Sequence, residues 1–290
     1  MDFRPVFRFA PSPNGDLHLG HALSALTGLE MARRMGGRFL VRIEDIDVSR
    51  ARDVYVSHIF EDLAWLGIAW ETQVLRQSEH FDDYRAAAAK LDRLGLLYPC
   101  FATRAELAAK RAARPEAVDP DGAPLMTRDP AWSSDDDDRR RLSGEPYGLR
   151  LDMVRALSEL KRRQPGTALT FTAFEADGSQ RQTIARPERW GDAVIVRKDI
   201  PASYHLSVVV DDARQGVTHI TRGLDLRPAT DLHRLLQVLL ELPEPLYHHH
   251  RLITDAAGRK LAKSAGDVSL RAMRQAGLTP SDVRLRIGFG

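Results

Sequence analysis

One cysteine in 290 residues, Cys100, excludes an internal disulfide framework. No stretch reaches the ~18–20 continuous apolar residues that a membrane-spanning helix needs. The first ten residues, MDFRPVFRFA, lack the apolar core and small-residue cleavage site of a secretory leader. No charge sign dominates either: 42 Lys and Arg stand against 40 Asp and Glu, with arginine far in excess of lysine. Near-neutrality permits local contacts with nucleic acid without arguing for them. No internal repeat is visible. What is present is 43% apolar content, enough for a substantial core. Together these features predict a globular cytoplasmic protein.

The apolar pattern predicts an α/β fold. Residues 4–10 and FLVRIED (39–45) read as buried strands, and residues 19–35 between them place Leu19, Ala22, Leu23, Leu26, Leu29 and Met31 at helical spacing before Gly36-Gly37. Strand, helix and strand within about 40 residues is a βαβ unit, which implies a parallel sheet. A second helix is expected over 49–67, with Ser49 as its N-cap and Gly67 near its end, and a third over 80–94. The chain then turns polar: RPEAVDPDGAP and SSDDDDRRRLSGEP read as surface loop, the DDDDRRR run being a solvated, self-compensating segment. Strand character returns at DAVIVRKD (192–199) and YHLSVVVDDA (204–213), followed by an apolar helix over 229–241. The expected organisation is a nucleotide-binding fold in two halves, residues 1–78 and 187–290, interrupted by an inserted module over 79–186.

Two segments suggest chemistry. In RFAPSPNGDLHLGH (8–21), His18 and His21 lie three apart at a helix start, so both rings share a face, and Gly20 between them lets a flat ligand approach the backbone. A helix N-terminus offers free N–H groups and partial positive charge to a phosphate chain. The pair also suits a metal, although no third ligand is apparent nearby, or a plain tight turn. In GRKLAKS (258–264), Lys260 and Lys263 are placed to balance charge on a departing pyrophosphate, or to form a solvated basic loop.

HLGH and KLAKS, at opposite ends of a split βαβ fold, resemble the HIGH and KMSKS signatures of class I aminoacyl-tRNA synthetases. Together with RIEDID, SYHLSVVVDD and TRGLDL, in that order, they resemble the glutamyl-tRNA synthetase catalytic domain over about residues 4–270. YPCF and DPDGAP, with 26 residues after Ser264, narrow the resemblance to the glutamyl-queuosine tRNA(Asp) synthetase family. It implies a Rossmann-type catalytic domain with an acceptor-binding-like α/β insertion, a KMSKS-like loop, a short C-terminal helical segment and no anticodon-binding domain. It also implies activation of L-glutamate with ATP and transfer to the queuosine base of tRNA(Asp), by a monomer. The alternatives are a truncated glutamyl-tRNA synthetase charging a tRNA 3′ end, and a non-catalytic tRNA-binding paralogue.

A glutamate site needs cationic donors for two carboxylates and an anion for the ammonium. Arg8 and Arg222 can supply bidentate donors, Glu44 a carboxylate at a strand end, Tyr204 a hydroxyl and a ring wall, and Ser12 a hydroxyl. The resemblance implies that these residues and Ala10 contact glutamate, that His18, Gly20 and His21 lie under ATP, and that Lys263 meets its phosphates, with Mg²⁺ accompanying ATP. Asp45 and Asp47 are nearby acidic candidates. Many family members bind zinc through a Cys-x-Cys pair and a later Tyr and Cys. Here Ala102 follows Cys100, and Met126 stands where the tyrosine is expected, so the zinc site is expected to be lost and the insertion held by packing alone. Strand alternation should turn His249 away from His248 and His250, which argues against a three-histidine metal cluster. Arg271, Arg274, Arg284 and Arg286 are candidates for tRNA phosphate contacts.

Overall fold

The computed structural model describes residues 4–128, 134–254 and 268–289. The first expected βαβ unit is present: β1 (Val6–Phe9), α1 (Leu19–Arg34) and β2 (Arg38–Ile43), with β1 and β2 parallel. Helix α2 (Asp53–Trp65) begins later than expected. Ser49 is not its N-cap, because its hydroxyl donates to Asp47 Oδ1 at 2.6 Å and the cap position falls to Arg52. After β3 (Leu75–Arg76) comes α3 (Phe81–Arg93), close to its expected span.

The polar middle is more ordered than its composition suggests. Strand β4 (Leu97–Cys100) leads to α4 (Arg104–Ala113), which Thr103 and Glu106 cap reciprocally and which buries no residue. The DDDDRRR run is not a loop but helix α5 (Ser134–Leu142). Its aspartates occupy the first turn and its arginines the last, so both signs complement the helix dipole. Strand β5 (Gly148–Leu151), α6 (Met153–Arg163), β6 (Thr170–Phe174), β7 (Gln180–Ile184) and β8 (Val194–Val196) follow.

YHLSVVVDDA, expected as a strand, is helix α7 (Tyr204–Arg214). The Ser203 hydroxyl caps it by accepting from the Leu206 N–H at 3.4 Å. Seven of its residues are buried, so the apolar run shows no polar face, and β-branched valines yield to tertiary packing. Strand β9 (His219–Gly223), α8 (Arg227–Leu240), β10 (Leu246–His250), α9 (Leu270–Gln275) and α10 (Pro280–Arg286) complete the described elements.

The seven-stranded sheet has the order β3-β2-β1-β9-β10-β6-β7, parallel except for the edge hairpin β6–β7. One apolar cluster draws on α3, α6, α7 and α8, and a second on α1, α2, α9 and α10. Helices therefore cover both faces, as a parallel sheet requires. Gly28 lets α1 approach closely, since a Cβ there would lie 2.7 Å from Thr221 Oγ1. A smaller antiparallel sheet, β4-β5-β8, stands beside the large one. Neither sheet coincides with the expected module 79–186: β6 and β7 belong to the large sheet, while β8 pairs with β5. Packing alone does not hold the small sheet. Buried Asp192 accepts from the Tyr98 hydroxyl (2.8 Å) and from the Arg128 and Met153 backbone N–H groups (2.5 and 2.9 Å), a polar knot tying four segments together.

Candidate active site

From β1 the sheet continues to β2 on one side and to β9 on the other, and such a switch in strand order opens a crevice at the strands' carboxyl ends. A cleft of about 530 Å³ lies there. Its walls are the ends of β1 (Arg8, Phe9), β2 (Glu44) and β9 (Thr221 to Gly223), the segment after β10, Tyr204 at the start of α7, and the N-terminal turn of α1. Arg8, Ala10, Ser12, His18, Gly20, His21, Glu44, Tyr204 and Arg222 all line this one cleft. Lys260 and Lys263 lie outside the described residues.

The α1 N-terminus is built by the two histidines themselves. His18 is the N-cap: its Nδ1 accepts from the Gly20 N–H at 3.0 Å, while His21 Nδ1 accepts from the His18 N–H at 3.1 Å. This is a capping box with imidazoles in place of hydroxyl and carboxylate. The rings stand 3.9 Å apart between centroids. Because both Nδ1 atoms accept, each neutral ring carries its proton on Nε2. A Cβ at position 20 would meet His18 Cε1 at 2.9 Å, so a side chain there would push the capping ring aside. Among the described residues no group of three His, Cys, Asp or Glu is arranged to hold a metal.

Behind the cleft lies a buried ionic network. Arg8 Nε donates to Asp212 Oδ1 at 3.0 Å, and fully buried Arg42 donates to Asp212 Oδ1 (2.8 Å), Gln215 Oε1 (3.0 Å) and Glu44 Oε1 (3.1 Å). Asp211 accepts from Gln77 Nε2 at 2.6 Å and from the Tyr84 hydroxyl at 3.0 Å. Burial raises the Glu44 carboxyl above its usual range against the pull of Arg42 and Arg8. Asp212, also buried, is held below its usual range by those two guanidinium groups. Sequence reasoning did not pick out Arg42, Asp211 or Asp212. The available signal was charge inside apolar runs, in FLVRIED and SVVVDD, since buried charges must be paired.

Arg222 differs from Arg8. It is 4% exposed, yet among the described residues no carboxylate pairs with it. Its guanidinium meets neutral acceptors only: Thr230 Oγ1 at 2.7 Å, His233 Nδ1 at 3.2 Å and His249 Nε2 at 3.4 Å, with its Cζ 5.3 Å from the Tyr247 ring centre. Burial, reinforced by the Arg222 charge, holds His233 well below the usual histidine range and lowers His249 to about 2. A buried cation with neutral partners leaves an anion to be supplied by a ligand.

The family description "tRNA synthetases class I (E and Q), catalytic domain" matches residues 6–284. The chain belongs to this family. It is a ligase of the class I tRNA synthetase type, a class that uses ATP as a substrate. It is 43% identical to the glutamyl-Q tRNA(Asp) synthetase of Rhodobacter capsulatus, over 98% of this chain and all of that protein. It is 39% identical to glutamate–tRNA ligase 2 of Acidiphilium cryptum, covering 94% of this chain and 58% of that one. The crystal structure of the glutamate–tRNA synthetase of Elizabethkingia anophelis superposes with a TM-score of 0.71 at 26% identity, over 95% of this chain. This chain spans about half of that protein, 54% of its length.

The remaining candidates of this class I synthetase chain fall elsewhere. Asp45 is committed to Arg76 and Ser78, and neither it nor Asp47 lines the cleft. Asp47, pulled down to about 2 chiefly by the Ser49 hydroxyl, lies on an adjoining chamber of about 390 Å³ that shares Ser12, Asn14, Glu44 and Tyr204 with the first. Half-buried Cys100 ends β4, opposite Gly148. His248 reaches the Phe174 carbonyl and His250 the Arg251 carbonyl, whereas His249 turns to Arg222 and Thr230, as strand alternation requires. Arg271 and Arg274 pair with Glu61.

Proposed function

We propose that the chain activates L-glutamate with ATP and transfers it to the queuosine base of tRNA(Asp). The observation that carries the glutamate reading is Arg222, a buried cation facing the cleft with no carboxylate partner among the described residues. In this reading ATP, with Mg²⁺, lies over the α1 N-terminus, where His18 and His21 present Nε2–H groups and Lys263 meets the phosphates. The glutamate α-carboxylate oxygen attacks the α-phosphorus. The bond to the bridging oxygen breaks and pyrophosphate leaves, its charge balanced by Lys260 and Lys263. No side-chain nucleophile is needed; alignment supplies much of the rate. Glu44 receives the ammonium, while Arg8, Ala10, Ser12 and Tyr204 complete the walls. A hydroxyl of the queuosine base then attacks the carbonyl carbon and an ester forms; AMP departs with the electrons of the broken C–O bond, and its phosphate takes up the hydroxyl proton.

Queuosine as acceptor is supported by the names of relatives, those of Rhodobacter capsulatus and Symbiobacterium thermophilum among them. The adjoining chamber, open to the same Ser12, Asn14, Glu44 and Tyr204, offers space for an acceptor beside the activated carboxylate. Glutamate-dependent ATP–pyrophosphate exchange tests the first step, measured with and without tRNA(Asp). Arg222→Ala is expected to raise the glutamate KM by about 100-fold or more, the scale of a lost buried charge-assisted contact, with a smaller change in kcat. An unchanged KM refutes the role given to Arg222, and no exchange with glutamate under either condition refutes the activation reading.

A further inference from the structure

An arginine can bind a carboxylate in two settings. If the protein already pairs it with an acid, its charge is spent and a ligand's carboxylate gains little. If its protein partners are neutral, the charge remains and a ligand without an anion leaves it uncompensated. Arg8, on Asp212, exemplifies the first setting, and Arg222 the second.

The neutral surround of Arg222 is built by several elements. Thr230 and His233 come from α8, three residues apart on one face, and His249 from β10. Thr230 Oγ1 accepts from Arg222 Nη2, which leaves its own hydrogen to donate to His249 Nε2 at 3.0 Å. His249 Nε2 therefore faces donors only and must stay an acceptor. His233 Nδ1 faces Arg222 Nη1, so its proton sits on Nε2 and donates to His205 Nδ1 at 3.2 Å. Both rings are thus fixed as neutral acceptors by hydrogen-bond direction alone. Glu44 is paired with Arg42, and Asp212 with Arg8 and Arg42.

We infer that His233, His249 and Thr230 set the selectivity of the cleft for an amino acid with an anionic side chain, by holding Arg222 with neutral acceptors and leaving its charge for the ligand to balance. The inference rests on the glutamate reading above. There the α-carboxylate is the reacting group over the α1 N-terminus, so the side-chain carboxylate is the one that reaches Arg222. Glutamine, of almost the same shape, brings no charge and turns an amide NH₂ toward donors. A site built around a specific polar partner rejects such an analogue strongly. It follows that an acid introduced beside Arg222 would supply the missing charge from the protein and remove the reason to prefer glutamate.

The test compares kcat/KM for glutamate and for glutamine in ATP–pyrophosphate exchange by wild type, His249→Gln and His249→Glu. His249→Gln retains a neutral acceptor and is expected to keep the glutamate-to-glutamine ratio within a few-fold. His249→Glu is expected to lower that ratio at least about tenfold, chiefly through the glutamate KM. A wild-type ratio in His249→Glu overturns the inference. So does an equal collapse in both variants, which would make ring shape rather than charge the determinant. Should His249→Glu not fold, calorimetric binding of glutamate, glutamine and norvaline to wild type decides: glutamine as weak as norvaline supports the inference, and glutamine as tight as glutamate overturns it. Wild type that activates glutamate and glutamine alike refutes the selectivity alone, whereas wild type that activates neither refutes the glutamate reading beneath it.

Discussion

Arg42 shows how much of the cleft depends on a residue that does not line it. It is fully buried and joins three acids from two elements: Glu44 after β2, and Asp211 and Asp212 on α7. Removing one partner of a buried ionic cluster leaves the others uncompensated, which costs about 3–5 kcal/mol. Arg42→Met is therefore expected to lower unfolding stability by about that amount in chemical denaturation, far more than an exposed arginine change would. A loss below about 1 kcal/mol would show that water or backbone groups already satisfy the three carboxylates. At this scale the sequence was informative about the residues that line the cleft, because Arg8, Glu44, Tyr204 and Arg222 stand in local motifs. It was silent about what holds them. The Asp212 partners lie 170 and 204 residues away in sequence, and no local pattern encodes such a pairing.

Among the elements, α2 and α9 meet at a buried acid. Asp62 on α2 is wholly buried and among the described residues neither of its carboxylate oxygens has a hydrogen bond; Arg274 on α9 stands 3.4 Å away. Burial raises its pKa from 3.8 to about 6, against the pull of Arg274. The folded state therefore favours the protonated acid. Its stabilising contribution is complete below about pH 4 and is lost as pH rises through 6. Asp62→Asn, which keeps the shape and removes the titration, is expected to gain about 1–3 kcal/mol over wild type between pH 5 and pH 8, measured as the change in their stability difference. A difference that does not vary with pH would contradict this account of the contact. Element boundaries show what sequence patterns can carry. Helix α3 was legible because its buried residues Tyr84, Ala88 and Leu91 recur at helical spacing among polar ones, and α1 because Gly36-Gly37 marks its end. Helix α7 was not, because its run of β-branched valines reads as a strand until tertiary packing overrides it. Helix α5 was hidden by composition alone, since its charges read as solvated loop until their order along the helix axis is considered.

For the molecule as a whole, the parallel order β3-β2-β1-β9-β10-β6 places the carboxyl ends of β1, β9 and β10 around one crevice, with the α1 N-terminus at its rim. The βαβ reading anticipated the parallel sheet and therefore the kind of site. It did not anticipate how the middle of the chain divides, with β6 and β7 joining the large sheet and β8 the small one, because strand pairing depends on contacts distant in sequence. The small sheet forms one wall of the second chamber, through Arg150 and Val194 with Ala193 and Arg197 beside β8. The two chambers share Ser12, Asn14, Glu44 and Tyr204, which in the proposed reaction would bring an acceptor beside the activated carboxylate.

The central claim concerns the acceptor, and transfer of labelled glutamate tests it most directly. The chain is incubated with ATP, Mg²⁺ and labelled glutamate, and with tRNA(Asp) containing queuosine, tRNA(Asp) lacking it, or tRNA(Glu). Label on queuosine-containing tRNA(Asp) alone is the predicted result. Label on tRNA(Glu), or on tRNA(Asp) regardless of queuosine, would contradict it and point to esterification of a tRNA 3′ end.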